Sequence, residues 1–163
     1  MSPRQLLVDA VKLNDETGSC TCCLLVLDEE ANLIQSCNLG DSGYMILRGE
    51  KGLVGLGGAD PNAKELMINF ESKEQQHSFN FPFQCGTNGD DPNKAFTLAH
   101  KVEHGDIIVL GSDGLWDNLH RTTILDMVRP FVQWSAQNEH GLIKDVSLVA
   151  ELLAKEAERF SYL

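Results

Sequence analysis

A short acidic segment of the chain has the residue types and spacing of a metal-binding turn. Asp113 follows the apolar, β-branched run Ile107 to Leu110, which predicts a buried strand. Small residues flank Asp113, and Asp117 lies one helical turn further on. A carboxylate fixed at the end of a strand can present oxygen to a hard cation such as Mg²⁺ or Mn²⁺. The alternative is an ordinary acidic turn in which Asp117 or Asn118 caps the next helix.

A second acidic turn earlier in the chain has the same context. Asp41 lies in the turn Gly40 to Gly43, which follows a predicted strand over Leu33 to Leu39. If both strands end at one edge of the fold, Asp41 and Asp113 repel each other, and a divalent cation relieves that repulsion. Mg²⁺ takes about six oxygen ligands and keeps several waters where carboxylates are few, and such a water can attack a phosphorus or carbonyl centre. The alternative is two unrelated turns at opposite edges.

The composition restricts the classes of function. A chain of 163 residues is long enough for one domain with a substantial core. Its net charge of -11 argues against nucleic acid or anionic membrane as the main partner, and is compatible with a cation site. We expect no transmembrane helix and no secretory signal peptide. The five cysteines are odd in number and three of them fall in one predicted strand, which indicates reduced, mostly buried thiols in an intracellular, reducing compartment.

The elements around these turns are mostly strands followed by helices, which favours an α+β fold with an antiparallel sheet. Two hairpins are predicted: one joins the first two strands, and the other turns at Glu103 to Asp106 into the strand that starts at Ile107. Thr122 or Thr123 is the predicted cap of the middle helix. Strands are predicted over Cys20 to Leu27, Leu33 to Leu39, Tyr44 to Arg48, Lys64 to Glu71, Phe96 to Val102 and from Ile107, loops over Leu53 to Asn62 and Gly86 to Lys94, and helices over Ser2 to Leu13, from Ile124, and over Val146 to Phe160.

Three other features have both a chemical and a structural interpretation. His77 could be catalytic, but a histidine among aromatic residues in a loop or edge strand is more often a structural hydrogen-bonding residue. Trp116 is expected to pack in the core under the acidic turn rather than to bind substrate. The segment Cys20 to Cys23 could form a thiolate site, but it lacks a second ligand pair and better fits the interior of a strand.

Three motifs in register carry a resemblance to one family. The segments Asn38 to Gly43 (NLGDSG) and Gly111 to Asn118 (GSDGLWDN) resemble the type 2C metal-dependent protein phosphatases, the PPM family. The segment Glu74 to Gln84 (EQQHSFNFPFQ) is similar to the branch of that family found in mitochondria and chloroplasts. Thr17 to Thr21 fits the family's segment ahead of the first turn, and the resemblance covers roughly Leu6 to Phe160.

The resemblance implies a fold, a reaction and roles for the aspartates. The family has a central antiparallel β-sandwich flanked by helices, with metals at one end of the sandwich. It removes phosphate from phosphoserine and phosphothreonine in proteins with water activated by two Mg²⁺ or Mn²⁺ ions. By resemblance, Asp113 matches a carboxylate of the core metal centre, Asp41 matches one associated with an additional, weaker metal, and Asp117 is a candidate to assist it. Gly43 stands where most of the wider family has Arg, and the organellar branch also has Gly there.

The departures from the family pattern concern the two ends. Nothing before Leu6 resembles the family's Asp-Gly-x-Gly-Gly turn or its phosphate-holding Arg, and nothing after Phe160 resembles its closing Asp-Asp or Asp-Asn turn. We therefore expect a single partial phosphatase domain over residues 1–163, with weak or no activity alone and with unpaired sheet edges through which copies could associate. The expected location is a mitochondrion or plastid, or otherwise the cytoplasm. The alternative function is a non-catalytic pseudophosphatase that binds a phosphoprotein or oligomerises.

Overall fold

The computed structural model describes residues 2–51, 64–135 and 138–162, so the predicted loop over Leu53 to Asn62 lies outside the described residues. Strands and helices occur in the predicted mixture, with strands dominant in the first two thirds of the chain. In chain order the elements are α1 (Pro3–Leu13), β1 (Ser19–Cys20), β2 (Cys22–Asp28), β3 (Leu33–Leu39), β4 (Gly43–Lys51), β5 (Lys64–Glu71), β6 (Gln76–Ser78), β7 (Phe81–Pro82), β8 (Cys85–Gly86), a 3₁₀ helix (Pro92–Lys94), β9 (Phe96–Lys101), β10 (Ile107–Gly111), α2 (Asp113–Trp116), α3 (Arg121–Val128), a second 3₁₀ helix (Arg129–Phe131), β11 (Val132–Ser135), β12 (Asn138–Ile143) and α4 (Val146–Ser161).

The chain divides into two units. The first contains Met1–Tyr44 and Ser72–Glu103, and the second contains Met45–Glu71 and His104–Leu163. The boundary therefore falls inside β4, directly after the turn that carries Asp41. The prediction of a single partial domain stays a prediction.

A three-stranded sheet and one helix form most of the first unit. Strand β3 lies in the centre of the antiparallel order β2-β3-β9, while β1 pairs with β8 and β6 pairs with β7. Helix α1 begins as predicted: the Ser2 hydroxyl accepts a hydrogen bond from Gln5 N at 3.3 Å, and Pro3 occupies the first turn. Leu7 of this helix joins a small buried core with the sheet. The core residues are Leu7, Cys37, Leu39, Cys85 and Ala95.

One predicted hairpin is confirmed and the other is wrong. Strands β2 and β3 pair from Cys22 opposite Leu39 to Asp28 opposite Leu33. Strand β9 pairs with β3, however, whereas β10 lies next to β4 in the order β10-β4-β5. The segment between β9 and β10 does turn, with Gly105 at φ +93°, but it connects strands of two different sheets. Turn residues specify a local reversal, whereas the pairing partner is decided by which side chains bury together.

The core of the second unit lies among β4, β5, β10 and the helices α3 and α4. Strands β4 and β5 pair antiparallel, with a register shift between Ile46 and Leu47. Strand β10 was expected to be buried, but only Val109 is, at 8% exposed; Ile108 and Leu110, which point to the opposite face, are 39% and 54% exposed. The buried residues are Met45, Leu47, Leu66, Val109, Leu119, Ile124, Leu125, Val128, Val132, Val149, Leu153 and Ala157.

The ends of the second unit's helices differ in part from the prediction. Helix α3 is capped by His120, whose side chain accepts from Thr122 N, and not by a threonine or by Asp117. Helix α4 matches its prediction, and its cap Asp145 accepts from Leu148 N at 3.1 Å. The indole of Trp134, on β11, occupies the space that a side chain at Gly49 or Gly141 would need.

Among the described helices, none has both the length and the apolar character required to cross a membrane. The fold is therefore α+β, with antiparallel sheets and helices, as predicted.

Candidate metal-binding turns

The turn that carries Asp41 is held by distant segments of the first unit. Gly40 has φ +103°, and a Cβ there would lie 2.5 Å from Thr21 Cγ2 and 2.6 Å from the carbonyl oxygen of Phe83. Only glycine fits this combination of backbone angle and close contact. The Gly40 carbonyl accepts a hydrogen bond from Gln75 N at 2.8 Å. Thr21 and the region from Gln75 to Phe83, both distant in sequence, therefore fix the backbone immediately before Asp41.

Asp41 itself is buried, with 8% of its surface exposed. The next residue, Ser42, has its hydroxyl 2.7 Å from the Thr21 hydroxyl. Tyr44 N then donates to Ser72 Oγ at 2.9 Å, and Ser72 N donates to Tyr44 O at 2.9 Å. A charge in such an environment interacts strongly with any partner, because the effective dielectric constant is low. The position therefore suits a carboxylate that has a cation as one of its partners.

Two buried amide oxygens close to this turn have no hydrogen-bond partner in the described part of the chain. They are Asn38 Oδ1 and Gln75 Oε1, in side chains that are 3% and 7% exposed. The nitrogen atoms of both side-chain amides do form hydrogen bonds: Asn38 Nδ2 donates to Lys73 O at 3.5 Å, and Gln75 Nε2 donates to Lys94 O at 2.9 Å. Buried acceptors of this kind are normally satisfied by water or a cation. Their chemistry fits a hydrated metal near Asp41.

A buried hydrogen-bond network follows the Asp41 turn, and sequence reasoning missed it. The Tyr44 hydroxyl donates to Ser36 Oγ at 2.8 Å and lies 2.7 Å from His100 Nε2. Burial raises the pKa of Tyr44 and lowers the pKa of His100, and both shifts favour the neutral form of the group. The alternation of β3 and β9 could have indicated that Ser36 and His100 face inward. Nothing in the sequence pairs them with Tyr44.

The turn that carries Asp113 is held by its own residues. Asp113 Oδ1 accepts from Gly114 N at 2.8 Å, and the Asp113 carbonyl accepts from Asp117 N at 2.8 Å. The indole Nε1 of Trp116 donates to Gly111 O at 2.8 Å, while its ring packs against the core, which confirms the structural role predicted for it. The Asp113 and Asp117 side chains are exposed and four residues apart, so they share one face of the turn. Their oxygens are accessible to a cation.

The structure does not bring a full set of metal ligands together by itself. Asp41 belongs to the first unit, and Asp113 and Asp117 belong to the second. Within residues 2–51, 64–135 and 138–162, no three His, Cys, Asp or Glu side chains form a group that could hold a metal. The carboxylates have the hard oxygen donors that Mg²⁺ and Mn²⁺ require, and a metal with so few protein ligands keeps bound waters. The meeting of Asp41 and Asp113 stays a prediction.

A cavity of about 680 Å³ lies beside the Asp113 turn. Ser112 and Gly114 line one end of it, and apolar residues of β10 and α4 line most of the rest. Asp113 is not part of this lining, and the single carboxylate of the lining, Glu158, provides too few ligands for a hard cation. The cavity is therefore separate from the candidate metal chemistry.

His77 has a partner that the sequence did not indicate. Its Nε2 lies 2.9 Å from Asp90 Oδ2, and its ring stacks on Phe83 with centroids 4.1 Å apart. Asp90 also accepts from Gln84 N at 3.1 Å. The hydrogen bond from His77 is the main cause that lowers the pKa of Asp90. This arrangement confirms the structural role predicted for His77, which ties the β6 segment to the loop around Asp90.

The cysteines are less buried than expected. Cys37 and Cys85 are buried, Cys22 and Cys23 are half-buried, and Cys20 is exposed, and all five are free thiols. The prediction of mostly buried thiols is therefore wrong for the cysteines of β1 and β2.

Comparison with known sequences gives a consistent set of relatives, although no protein-family model matches the chain. The chain is 33% identical over 144 residues to the protein phosphatase PTC7 homolog fig of Drosophila ananassae, covering 80% of this chain and 39% of that protein. It is 29% identical over 154 residues to the human protein phosphatase PTC7 homolog, covering 89% and 43%. It is 34% identical over 130 residues to the probable protein phosphatase 2C 55 of Arabidopsis thaliana, covering 78% and 24%. The chain thus spans less than half the length of these curated relatives.

Solved structures share the fold. The photosystem II phosphatase PBCP superposes with a TM-score of 0.73 at 23% identity, covering 96% of this chain and 51% of that chain. The catalytic domain of the serine/threonine protein phosphatase PstP, solved with two manganese ions, superposes with a TM-score of 0.57 at 18% identity, covering 96% and 60%. At these identities the likeness concerns the fold.

Proposed function

The chain belongs to the PP2C-type protein phosphatase family, and on that premise we propose that it is part of a Mg²⁺- or Mn²⁺-dependent serine/threonine protein phosphatase that acts on phosphoproteins. The relatives that it matches bear the name of protein phosphatases, and the PstP catalytic domain holds two manganese ions. The chain spans less than half the length of these relatives. The activity and the substrate class of the whole proteins are therefore proposed for this chain.

The proposed metal ligands are the three aspartates of the two turns. Asp113 presents an exposed carboxylate at the end of β10, on a turn that its own backbone fixes, and this observation carries the proposal. Asp41 contributes a carboxylate from its buried turn at an additional, weaker metal, and Asp117 assists there. When bound, Mg²⁺ or Mn²⁺ supplies an activated water for attack on the phosphorus of a phosphoserine or phosphothreonine.

The role of the protein's own residues is to hold these carboxylates in place. Gly40, clamped between Thr21 and Phe83, sets the direction of the chain into Asp41. The oxygens of Asn38 and Gln75 that have no partner among the described residues can accept hydrogen bonds from water molecules around the cation. In the described residues no group of three His, Cys, Asp or Glu side chains that could hold a metal is formed, so we expect weak metal binding and slow turnover by this chain alone.

The proposal also covers the domain organisation, the cellular location and the association of copies. We treat residues 1–163 as one partial phosphatase domain, located in a mitochondrion or plastid or otherwise in the cytoplasm. Association of copies through sheet edges stays a prediction. No comparison supports the alternative of a non-catalytic pseudophosphatase.

The test is Mn²⁺-linked thermal stabilisation of the 163-residue chain. A ligand that binds only the folded state stabilises it by about 2.7 kcal/mol at 100 times its Kd, which raises the melting temperature by on the order of 5 °C or more. We expect Asp113→Asn to abolish most of this shift and Asp41→Asn to reduce it. Asp15→Asn removes the same charge at an exposed position outside both turns and should leave the shift intact.

Hydrolysis of a small aryl phosphate is measured on the same four proteins. Slow, Mn²⁺-dependent turnover that disappears in Asp113→Asn supports the proposal. A chain that shows no Mn²⁺ shift, or an Asp113→Asn variant that keeps the full shift, would remove Asp113 from the metal site and contradict it.

A further inference from the structure

Two cysteines from distant parts of the sequence face each other across the short ladder between β1 and β8. Cys20 is directly opposite Cys85 in the register of these strands. Their Sγ atoms lie 3.8 Å apart, and Cys85 Sγ lies 3.4 Å from the Cys20 carbonyl oxygen. Both are free thiols. The fold therefore holds two thiols in contact that the sequence separates widely.

The backbone geometry at this pair is that of a cross-strand disulfide. Directly opposed residues of an antiparallel ladder have Cα atoms about 4.5–5.5 Å apart. Disulfides form at Cα separations of about 4.4–6.8 Å, with the sulfurs about 2.0 Å apart. Side chains of opposed residues also point to the same face of the ladder. Rotation of the two side chains can therefore close the bond without a change of strand register.

The two thiols differ in exposure in a way that assigns them different roles. Cys20 is exposed and can meet a dissolved oxidant, whereas Cys85 is 4% exposed. Burial is the main cause that raises the pKa of Cys85 to about 12, so this thiol stays protonated. A dissolved oxidant therefore reaches the Cys20 sulfur first, and the Cys85 thiol is the neighbouring group that can form a disulfide with it.

We propose that Cys20 and Cys85 form a reversible redox site that a peroxide converts to a disulfide. The Cys20 sulfur attacks one peroxide oxygen, the O–O bond breaks, and a sulfenic acid and one water result. The Cys85 sulfur then attacks the Cys20 sulfur; the S–S bond forms, and the sulfenic hydroxyl leaves as water with the Cys85 proton. Two thiols are oxidised by two electrons, one peroxide is reduced to two waters, and a dithiol reductant reverses the change.

The nearby cysteines are poorer partners for this reaction. Cys22 and Cys23 are consecutive in β2 and therefore point to opposite faces of the strand. In contrast, Cys20 and Cys85 are already opposed and in contact.

The redox pair adjoins the Asp41 turn on both sides. Thr21 follows Cys20 directly, and its side chain contacts Gly40 and the Ser42 hydroxyl. Phe83 precedes Cys85 by two residues, and its carbonyl contacts Gly40 as well. A disulfide would therefore join the two segments that clamp this turn. Its effect on metal binding rests on the proposed function, whereas formation of the bond does not.

The test treats the folded 163-residue chain with hydrogen peroxide, alkylates the remaining thiols, and maps disulfides by mass spectrometry after digestion without reduction. We expect a Cys20–Cys85 cross-linked peptide that dithiothreitol removes. The oxidised chain should melt on the order of 5–10 °C higher, because the bond closes a long loop in the unfolded state. Cys20→Ser, at an exposed position, should lose the cross-link and the shift, whereas the matched variant Cys23→Ser should keep both.

The outcomes separate this proposal from the phosphatase assignment. If Cys85 stays alkylatable after oxidation, or if Cys20 appears mainly in another disulfide or as a sulfinic acid, the redox site is contradicted, whatever the Mn²⁺ results. A cross-link that changes the Mn²⁺-linked melting shift supports both the site and its connection to Asp41. A cross-link that leaves that shift unchanged supports the site and overturns the connection.

Discussion

The two acidic turns are similar in sequence, yet different parts of the molecule hold them in place. The Asp41 turn is buried and is fixed by Thr21, Gln75 and Phe83, which come from distant segments. The Asp113 turn is exposed and is fixed by bonds among Gly111 to Asn118. One turn is therefore encoded locally, and the other exists only when the first unit has assembled. Substitutions in the two turns should accordingly differ in size and in how far their effects extend.

The largest effect is expected from Gly40→Ala. The new Cβ would overlap Thr21 and the Phe83 carbonyl at a residue with φ +103°, which should cost about 3 kcal/mol of unfolding free energy through overpacking and backbone strain. Urea unfolding followed by far-UV circular dichroism measures this loss. The matched control is Gly114→Ala in the other turn, where a Cβ would have a single near neighbour, Ser112 Oγ, at 3.4 Å.

For the control we expect a change within about 0.5 kcal/mol, or slight stabilisation from the better helix propensity of alanine. Equal losses in Gly40→Ala and Gly114→Ala would contradict the distinction between the two turns.

A smaller loss of unfolding free energy is expected from Thr21→Val, but its effect should reach residues far from the substituted position. This variant keeps the shape of the side chain and removes the hydrogen bond to Ser42, at a cost of about 1 kcal/mol. Because Thr21 supports Gly40, amide exchange of Gln75 should become faster as well. Trp116→Phe is the counterpart in the other turn, since it removes the bond to Gly111 O. Its exchange changes should stay within Gly111 to Leu119, and a spread into the first unit would count against the comparison.

The smallest effect is a pH dependence in the network behind Asp41. Burial holds the pKa of His100 below its ordinary value of 6.5. As the pH falls below about 6.5, the unfolded chain therefore gains a proton that the folded chain does not take up, and the unfolding free energy decreases; above that pH the contribution is fully present. His100→Gln should flatten this decline between pH 7.5 and pH 5. His104→Gln, at an exposed histidine, should not.

Elements with strong local signals were predictable from the sequence. Helix α1 with its Ser2 cap, the β2–β3 hairpin and strand β5 follow from capping chemistry, alternation and turn residues. The Asp113 turn was predictable for the same reason, because all the bonds described within it lie inside eight residues. Local structure can be inferred when the interactions that stabilise it are close in sequence.

Features that depend on distant contacts could not be predicted. The predicted pairing of β10 with β9 was wrong, because turn residues around Gly105 do not determine which strand pairs with β10. The cap His120 is an exception, since its contact with Thr122 is local; it was missed because Thr122 and Thr123 match the usual preference better. The burial of Asp41, its clamp at Gly40 and the pairing of Cys20 with Cys85 join segments far apart in the chain. No periodicity or spacing records such contacts.

The position of the two tryptophans has a spectroscopic consequence. Trp116 and Trp134 both belong to the second unit, so indole emission follows unfolding of that unit only. Circular dichroism responds to the backbone of both units. Coincident transitions by the two methods would indicate one cooperative folding unit, and separate transitions would indicate two. Tryptophan emission thus reports on the second unit alone. Unfolding of the first unit, which holds Asp41, can be followed by comparing the circular dichroism transition with the fluorescence transition, without any added dye.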